Sequence, residues 1–202
     1  MQNHRLAKIK ALLDDKIQRG KLKPQFWKPA TLIRRISPLR HVQDWLASQD
    51  SLTKKLKEHH PELEVIVLSE QIEIPLVSEA QRLGIARDEE AWVRCVVLKA
   101  GNRHLVYART VIPFMSPQNP WQELQALGNK PLGEVLFEMP SIQRSPFEFS
   151  KDTLGYWPHL INHLNAPALR NNPSFARRSV FKQKQAPLLL TEVFLPGLLE
   201  QQ

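Results

Sequence analysis

The feature that most constrains this chain is a pair of period-two runs, residues 91–99 and 104–112, joined by Ala100-Gly-Asn-Arg103. Alternation of side chains between two sides marks a strand, and Gly and Asn tolerate the positive φ that tight hairpin turns need. The two runs therefore read as an antiparallel hairpin. Further strands are expected at residues 64–76, 141–150, 176–184 and 187–195. Leu6, Ile9, Leu13 and Ile17 recur at helical spacing among lysines, predicting a basic amphipathic helix over residues 5–19 that Gly20 stops. A second helical region runs from Pro38 to His59, with a break at Asp50-Ser51-Leu52-Thr53 and Asp50 or Ser51 as its cap. Pro120 to Leu127 and Pro131 to Phe137 each begin with proline, which suits the first position of a short helix. Residues 153–175 hold three prolines and little periodicity, so they read as a long loop or a loosely helical insertion. Helices, hairpin, helices, hairpin is the order of an α+β fold, a single antiparallel sheet of about six strands with helices on one side.

Charge is divided unevenly along this frame. Residues 1–40 carry eleven Lys or Arg against Asp14 and Asp15, a net of +9; of the chain's 28 basic and 20 acidic residues this leaves 17 and 18, a net of −1. The globular part is near neutral and the basic character belongs to an arm. Such an arm suits an anionic membrane surface or nucleic acid, and a solvated leader is the plainer alternative. Near-neutrality beyond residue 40 counts against a nucleic-acid-binding protein. The single Cys95 excludes an internal disulfide and reads as a small buried hydrophobe. No stretch reaches the ~18 apolar residues of a membrane span, and a cytoplasmic location is expected.

The faces of the hairpin carry the functional argument. Trp92, Arg94, Val96 and Leu98 share one side of their strand; Leu105, Tyr107, Arg109 and Val111 share one side of the next. A turn symmetric about Gly101-Asn102 would set Arg94 opposite Arg109, a like-charge pair that needs an anion between its members. In the last strand Glu192 shares a face with Leu188, Leu190 and Phe194. One Glu neutralises one Arg, and the surplus cation suits a small carboxylate held by a bidentate guanidinium. The alternative is that these charges sit at strand edges and reach water. His159-Leu-Ile-Asn-His163 has the i, i+4 spacing of a metal pair but no adjacent Glu and no evident third ligand.

Four segments carry a family resemblance: Asp50-Ser-Leu-Thr-Lys-Lys55; Trp92-Val-Arg-Cys-Val-Val-Leu98; Ala108-Arg-Thr-Val-Ile-Pro113 with Leu127-Gly-Asn-Lys-Pro-Leu-Gly133; and Ala176-Arg-Arg-Ser179 with Pro187-Leu-Leu-Leu-Thr-Glu-Val-Phe-Leu-Pro196. In order and approximate spacing they resemble the chorismate lyase family of ubiquinone-making bacteria. The resemblance divides the chain into a basic arm, residues 1–26, and a lyase-like domain, residues 27–202. It implies a sheet whose helical flaps close over an internal cavity, and cleavage of chorismate to 4-hydroxybenzoate and pyruvate without metal or cofactor. By position, Arg94 would hold the ring carboxylate. Glu192 would meet the ring hydroxyl and handle the proton, with Arg109 beside it as a second catalytic residue. Leu52 and Leu132 would come from the two flaps. Ala108 stands where the family commonly has Gly, Leu52 where Met can occur, and residues 158–175 are inserted relative to short members.

The partners implied are chorismate and 4-hydroxybenzoate, with no nucleic acid, a weak contact to anionic membrane through the arm, and a monomer. A sensing domain of similar sheet that binds an acid without converting it is the other reading of the same residues; Glu192 among arginines and the lack of an evident helix-turn-helix favour the enzyme. Deleting residues 1–25 is expected to leave turnover nearly intact while weakening salt-sensitive binding to anionic vesicles. A steady-state assay beside vesicle co-sedimentation checks this, and lost activity in a folded truncation would make the arm part of the site.

Overall fold

The computed structural model describes residues 26–139 and 141–199. The helix expected over residues 5–19 lies outside them. In chain order the elements are β1 (Lys28–Pro29), α1 (Ile33–Ile36), α2 (Arg40–Ala47), α3 (Leu52–His59), β2 (Glu64–Glu73), α4 (Val77–Leu83), β3 (Ala91–Ala100), β4 (Arg103–Pro113), α5 (Leu132–Glu138), β5 (Gln143–Arg144), β6 (Glu148–Thr153), α6 (Leu160–Leu164), β7 (Pro173–Gln183), β8 (Ala186–Phe194) and α7 (Pro196–Leu199). Short 3-10 turns cover Ala30–Leu32, Gln122–Ala126, Leu154–Tyr156 and Pro167–Asn171. Eight strands form one antiparallel sheet in the order β1-β6-β7-β8-β4-β3-β2, with β5 paired to β7. The α+β class stands, with two more strands than expected. One is the two-residue β1, and the other comes from splitting the 141–150 run into β5 and β6. Among the described residues no helix is long and apolar enough to cross a membrane.

Both faces of the sheet are covered, because β3, β4 and β8 are apolar on both sides. One face packs Val93, Cys95, Val97, Tyr107, Val111, Leu189 and Val193 against Leu154, Tyr156, Trp157, Leu160 and Ile161. The segment expected to be a loose insertion is thus the roof of that face. The opposite face carries two clusters. Val96, Leu98, Leu105, Val106 and Phe194 pack on α2 and α3. Trp92, Ile112, Leu188 and Leu190 pack on Trp121, Leu124, Leu127 and α5.

The register of the first hairpin corrects the expected pairing of arginines. Beside the turn, Ala100 pairs with Arg103 and Lys99 with His104, as symmetry about Gly101-Asn102 requires. Leu98 then pairs with Val106, so Leu105 is an extra residue in β4. Leu105 and Val106 are both fully buried in the same cluster, and a bulge lets two successive residues do this. One added residue moves every later side chain of the strand to the other face. Arg94 therefore pairs with Thr110, while Arg109 pairs with Cys95.

On that second face Arg109, 1% exposed, is fully engaged. Its Nε donates to Glu79 Oε1 at 2.9 Å and its Nη1 to Glu73 Oε1 at 2.7 Å. Glu79 in turn accepts from the Leu76 N–H at 2.8 Å, capping α4. Burial alone would raise the Glu73 carboxyl, but the Arg109 guanidinium, with hydrogen bonds from Gln71 and Arg109, holds it below its ordinary value. A depressed carboxyl contributes stability above its unfolded-state value, near 4.5, and loses it as pH falls through the lower folded value. Burial pushes the Cys95 thiol up, consistent with packing rather than reactivity.

Substituting Arg109→Met would leave two carboxylates on a buried face without their cation. The expected loss is about 3–5 kcal/mol in urea unfolding at pH 7, shrinking as the pH is lowered through the carboxyl range. A loss below about 1 kcal/mol would show that the network is not structural.

Candidate functional site

The site lies on the face that carries Arg94, along the seam between the two apolar clusters. The residues of that seam are Arg94 and Thr110, then Ala108 and Glu192, then Arg177 and Ser179, each fixed by strand register. Ala108 packs against both clusters. Glu192 lies between Ala108 of β4 and Arg177 of β7, opposite both. Its Oε2 accepts from Arg177 Nε at 2.6 Å. Arg177 also donates through Nη1 to the carbonyls of Ser48 at 2.6 Å and Leu46 at 3.3 Å. These carbonyls belong to the end of α2 and the connector to α3, so the pair ties the sheet to the helix above it.

Arg94 is 2% exposed. Its Nη1 pairs with Glu70 Oε2, and its Nη2 donates to the Gly128 carbonyl at 2.5 Å. Gly128 has φ +53°, a conformation open to glycine, and it precedes α5 in the loop that roofs this end of the seam. An arginine has five N–H donors, and two engaged here leave others for a carboxylate. Register puts Arg94 and Glu192 two strands and two residues apart, roughly 12 Å between Cα atoms, on one face.

Two helices close over the seam. Ser51 caps α3, its hydroxyl accepting from the Lys54 N–H at 3.3 Å. This seats Leu52, 2% exposed, in one cluster. Leu132 opens α5 and packs in the other. The helices approach closely at Gly133, where a Cβ would meet Thr53 Oγ1 at 3.1 Å and Ser51 Oγ at 3.6 Å. Lys57 and Glu134 join the outer sides at 2.5 Å, but with side chains 46% and 36% exposed they add little. Below lies a cavity lined by Leu52, Gly133, Phe147, Arg177, Ser179 and Glu192, among others. Its free volume is about 10 Å3, room for one water molecule. A ring-sized ligand enters only if the flaps part.

Of the residues singled out in the sequence, Glu192 and Leu52 line one cavity, Leu132 opens the flap above it, and Arg94 stands on the same face at the other end. Arg109 is not among them. The bulge at Leu105 puts it on the far side of the sheet with Glu73 and Glu79, so it does not stand beside Glu192. The cation beside Glu192 is Arg177, which the sequence reading left without a role. Its signal was the second hairpin: a turn at Lys184-Gln185, both with positive φ, sets 177 opposite 192. The two histidines of the 159–163 spacing go to different neighbours. His159 Nε2 lies 3.6 Å from Glu73 Oε2, while the His163 ring stands edge-on to His104 at 5.3 Å.

Comparison with known proteins decides the family. Residues 21–202 match chorismate lyase. The chain belongs to the chorismate lyase family. Among relatives named probable chorismate pyruvate-lyase, that of Hydrogenovibrio crunogenus is 44% identical over 173 residues, 86% of this chain and 91% of its own length. That of Pseudomonas putida is 35% identical over 176 residues, covering 87% of this chain and 92% of its own. Among solved structures, PhnF from Mycobacterium smegmatis aligns over 74% of this chain and 65% of that one, with a TM-score of 0.53 and 15% identity. That likeness concerns the fold alone.

The chain is thus a lyase by family, and the seam brings together buried guanidiniums, one carboxylate and two apolar helices.

Proposed function

We propose that this chain cleaves chorismate to 4-hydroxybenzoate and pyruvate, without metal or organic cofactor, supplying the first committed step of ubiquinone biosynthesis. In this reaction the ether bond between ring C3 and the enolpyruvyl oxygen breaks. The ring hydrogen at C4 leaves as a proton, and its bonding pair completes the aromatic ring. The enolpyruvyl fragment takes a proton at its methylene carbon and becomes pyruvate. Atoms and charge balance with no oxidant or external nucleophile, and aromatisation supplies the driving force.

The residues take roles that follow from their positions. Arg94, at the α5 end of the seam, holds the ring carboxylate with donors that Glu70 and Gly128 leave free. Glu192, beside Arg177, meets the ring hydroxyl and relays the C4 proton. Leu52 and Leu132 close over the ring from the two flaps, and the Leu132 backbone would also meet the ligand. Desolvation beneath the flaps strengthens each of these contacts. The observation that carries the reading is the Glu192–Arg177 pair lining a cavity beneath the two helices, on the face that also presents Arg94.

Purified protein incubated with chorismate is expected to release 4-hydroxybenzoate, followed by its absorbance. Glu192→Gln keeps shape but removes the titratable group; turnover should fall roughly a hundredfold or more while 4-hydroxybenzoate affinity changes far less. Arg94→Ala should weaken 4-hydroxybenzoate binding by about 1.5–3 kcal/mol, the scale of a charged hydrogen bond, with Lys restoring only part. Wild-type protein that binds 4-hydroxybenzoate yet never converts chorismate would replace the enzyme with a sensing domain.

A further inference from the structure

Among the described residues, the buried hydroxyls of Ser150, Ser179 and Thr191 have no hydrogen-bond partner. Thr191 pairs in register with Arg109, and Ser150 with Ala176 of the cluster on that same face. Ser179 stands on the other face, 3% exposed, and lines the cavity together with Glu192. Its backbone belongs to the β7–β8 ladder opposite Leu190, and Leu136, Phe181 and Leu190 share the cavity wall with it. Glu192 turns to Arg177 instead. A buried hydroxyl without a partner is uncommon and adds nothing to the fold, so its use lies with a ligand that enters the cavity.

Register fixes which part of a ligand it meets. Ser179, Leu190, Thr110 and Arg94 form one row across four strands. Glu192 lies two residues along β8 from Leu190, so Arg94 and Ser179 stand on opposite sides of its strand. Ser179 is one strand across and two residues along from Glu192, about 7–8 Å between Cα atoms. The cavity runs from Glu192 toward β7, where Arg177, Ser179 and Phe181 line it. A ring with its carboxylate at Arg94 and its hydroxyl at Glu192 has room on that side for the substituent next to the hydroxyl. In chorismate this substituent is the enolpyruvyl ether.

We propose that Ser179 is a substrate-contacting residue, its hydroxyl donating to the enolpyruvyl oxygen that leaves ring C3. The inference rests on the cleavage reading above and deepens it. When the C3–O bond breaks, its electron pair stays on this oxygen, and the enolate so formed is protonated at its methylene carbon. Ser179 keeps its own proton throughout. A hydrogen bond to an oxygen that gains charge is stronger in the transition state than in the bound substrate, so it acts on turnover more than on binding. The product 4-hydroxybenzoate has no oxygen at that ring position, and its affinity does not depend on Ser179.

The test compares substrate and product in one small variant. Ser179→Ala is expected to lower kcat for chorismate roughly tenfold or more, with KM and the inhibition constant of 4-hydroxybenzoate within about twofold of wild type. Its unfolding midpoint should equal or exceed that of wild type, since no hydrogen bond of the fold is lost. Should Ser179→Ala fail to fold, Ser179→Cys, similar in size and a weak donor, is read by the same constants. Unchanged kcat, equal weakening of chorismate and 4-hydroxybenzoate, or a lowered unfolding midpoint would overturn the contact while leaving the cleavage reading intact. Wild-type protein unable to cleave chorismate would overturn the cleavage reading, and the contact with it.

Discussion

The extra residue at Leu105 determines which charges share a cavity. The middle strands β3, β4 and β8 are buried on both faces over most of their length, so a misplaced charge there cannot be released into water. Without the bulge, Arg94 and Arg109 would lie side by side on one face, and Glu73 and Glu79 would be buried beneath the other without their cation. With it, each cation meets its own carboxylates: Arg94 pairs with Glu70, and Arg109 with Glu73 and Glu79. The bulge exists because Leu105 and Val106 are both taken into the cluster under α2 and α3. An apolar packing choice near the turn thus sets the electrostatics of two faces several residues away.

The two buried charge systems differ in a way that separates support from function. Around Arg109 each group is answered: two carboxylates take the guanidinium, one of them caps α4, and the Tyr107 hydroxyl donates to the Cys95 sulfur at 3.3 Å. Such a network rigidifies a core. Around Glu192 a cavity intervenes: Arg177 holds the carboxylate, and the buried Ser179 hydroxyl beside them has no hydrogen-bond partner. A polar cavity with an unmatched hydroxyl is a candidate for a ligand rather than for support alone.

Much of this was legible in the residues. The alternation of 187–195 put Glu192 on an apolar inward face, and the break at Asp50-Ser51 gave the start of α3 with Ser51 as its cap. The proline at 131 marked α5 and so Leu132. The sequence reading set Arg109 beside Glu192; the structure sets Arg177 there and places Arg109 on the opposite face. The bulge was not legible, because Leu105 is one more apolar residue in an alternating run and only tertiary burial selects it. The turn into α4 was hidden likewise: residues 64–76 alternate well enough for a strand, but β2 ends at Glu73 and the chain leaves the sheet to bring Glu79 under Arg109. The 153–175 stretch lacks periodicity since its apolar residues act one turn at a time, Leu154, Tyr156 and Trp157 and then Leu160 and Ile161, against a face already flat.

The flaps and the charges form one system. The carbonyls of Leu46, Ser48 and Gln49 all accept from arginines of the cavity, and the helix that carries Leu52 starts three residues after Gln49. Opening that flap widely enough for a ring therefore strains bonds made by the same guanidiniums that would meet the substrate. These carbonyls satisfy part of the arginines' donor capacity, which helps keep the buried Arg177 beside the half-buried Arg144 tolerable. An arriving carboxylate offers those guanidiniums a charged acceptor in place of neutral ones, and charged acceptors bind more strongly. Binding energy at the carboxylates can thus be passed to the connector and on to α3, whose Thr53 meets Gly133 of the other flap. Leu52 and Leu132 are apolar and make no distinction between a dianion and a monoanion. Under the proposed function, the choice between a dianion and a monoanion therefore falls to the arginines beneath the flaps rather than to the leucines above them.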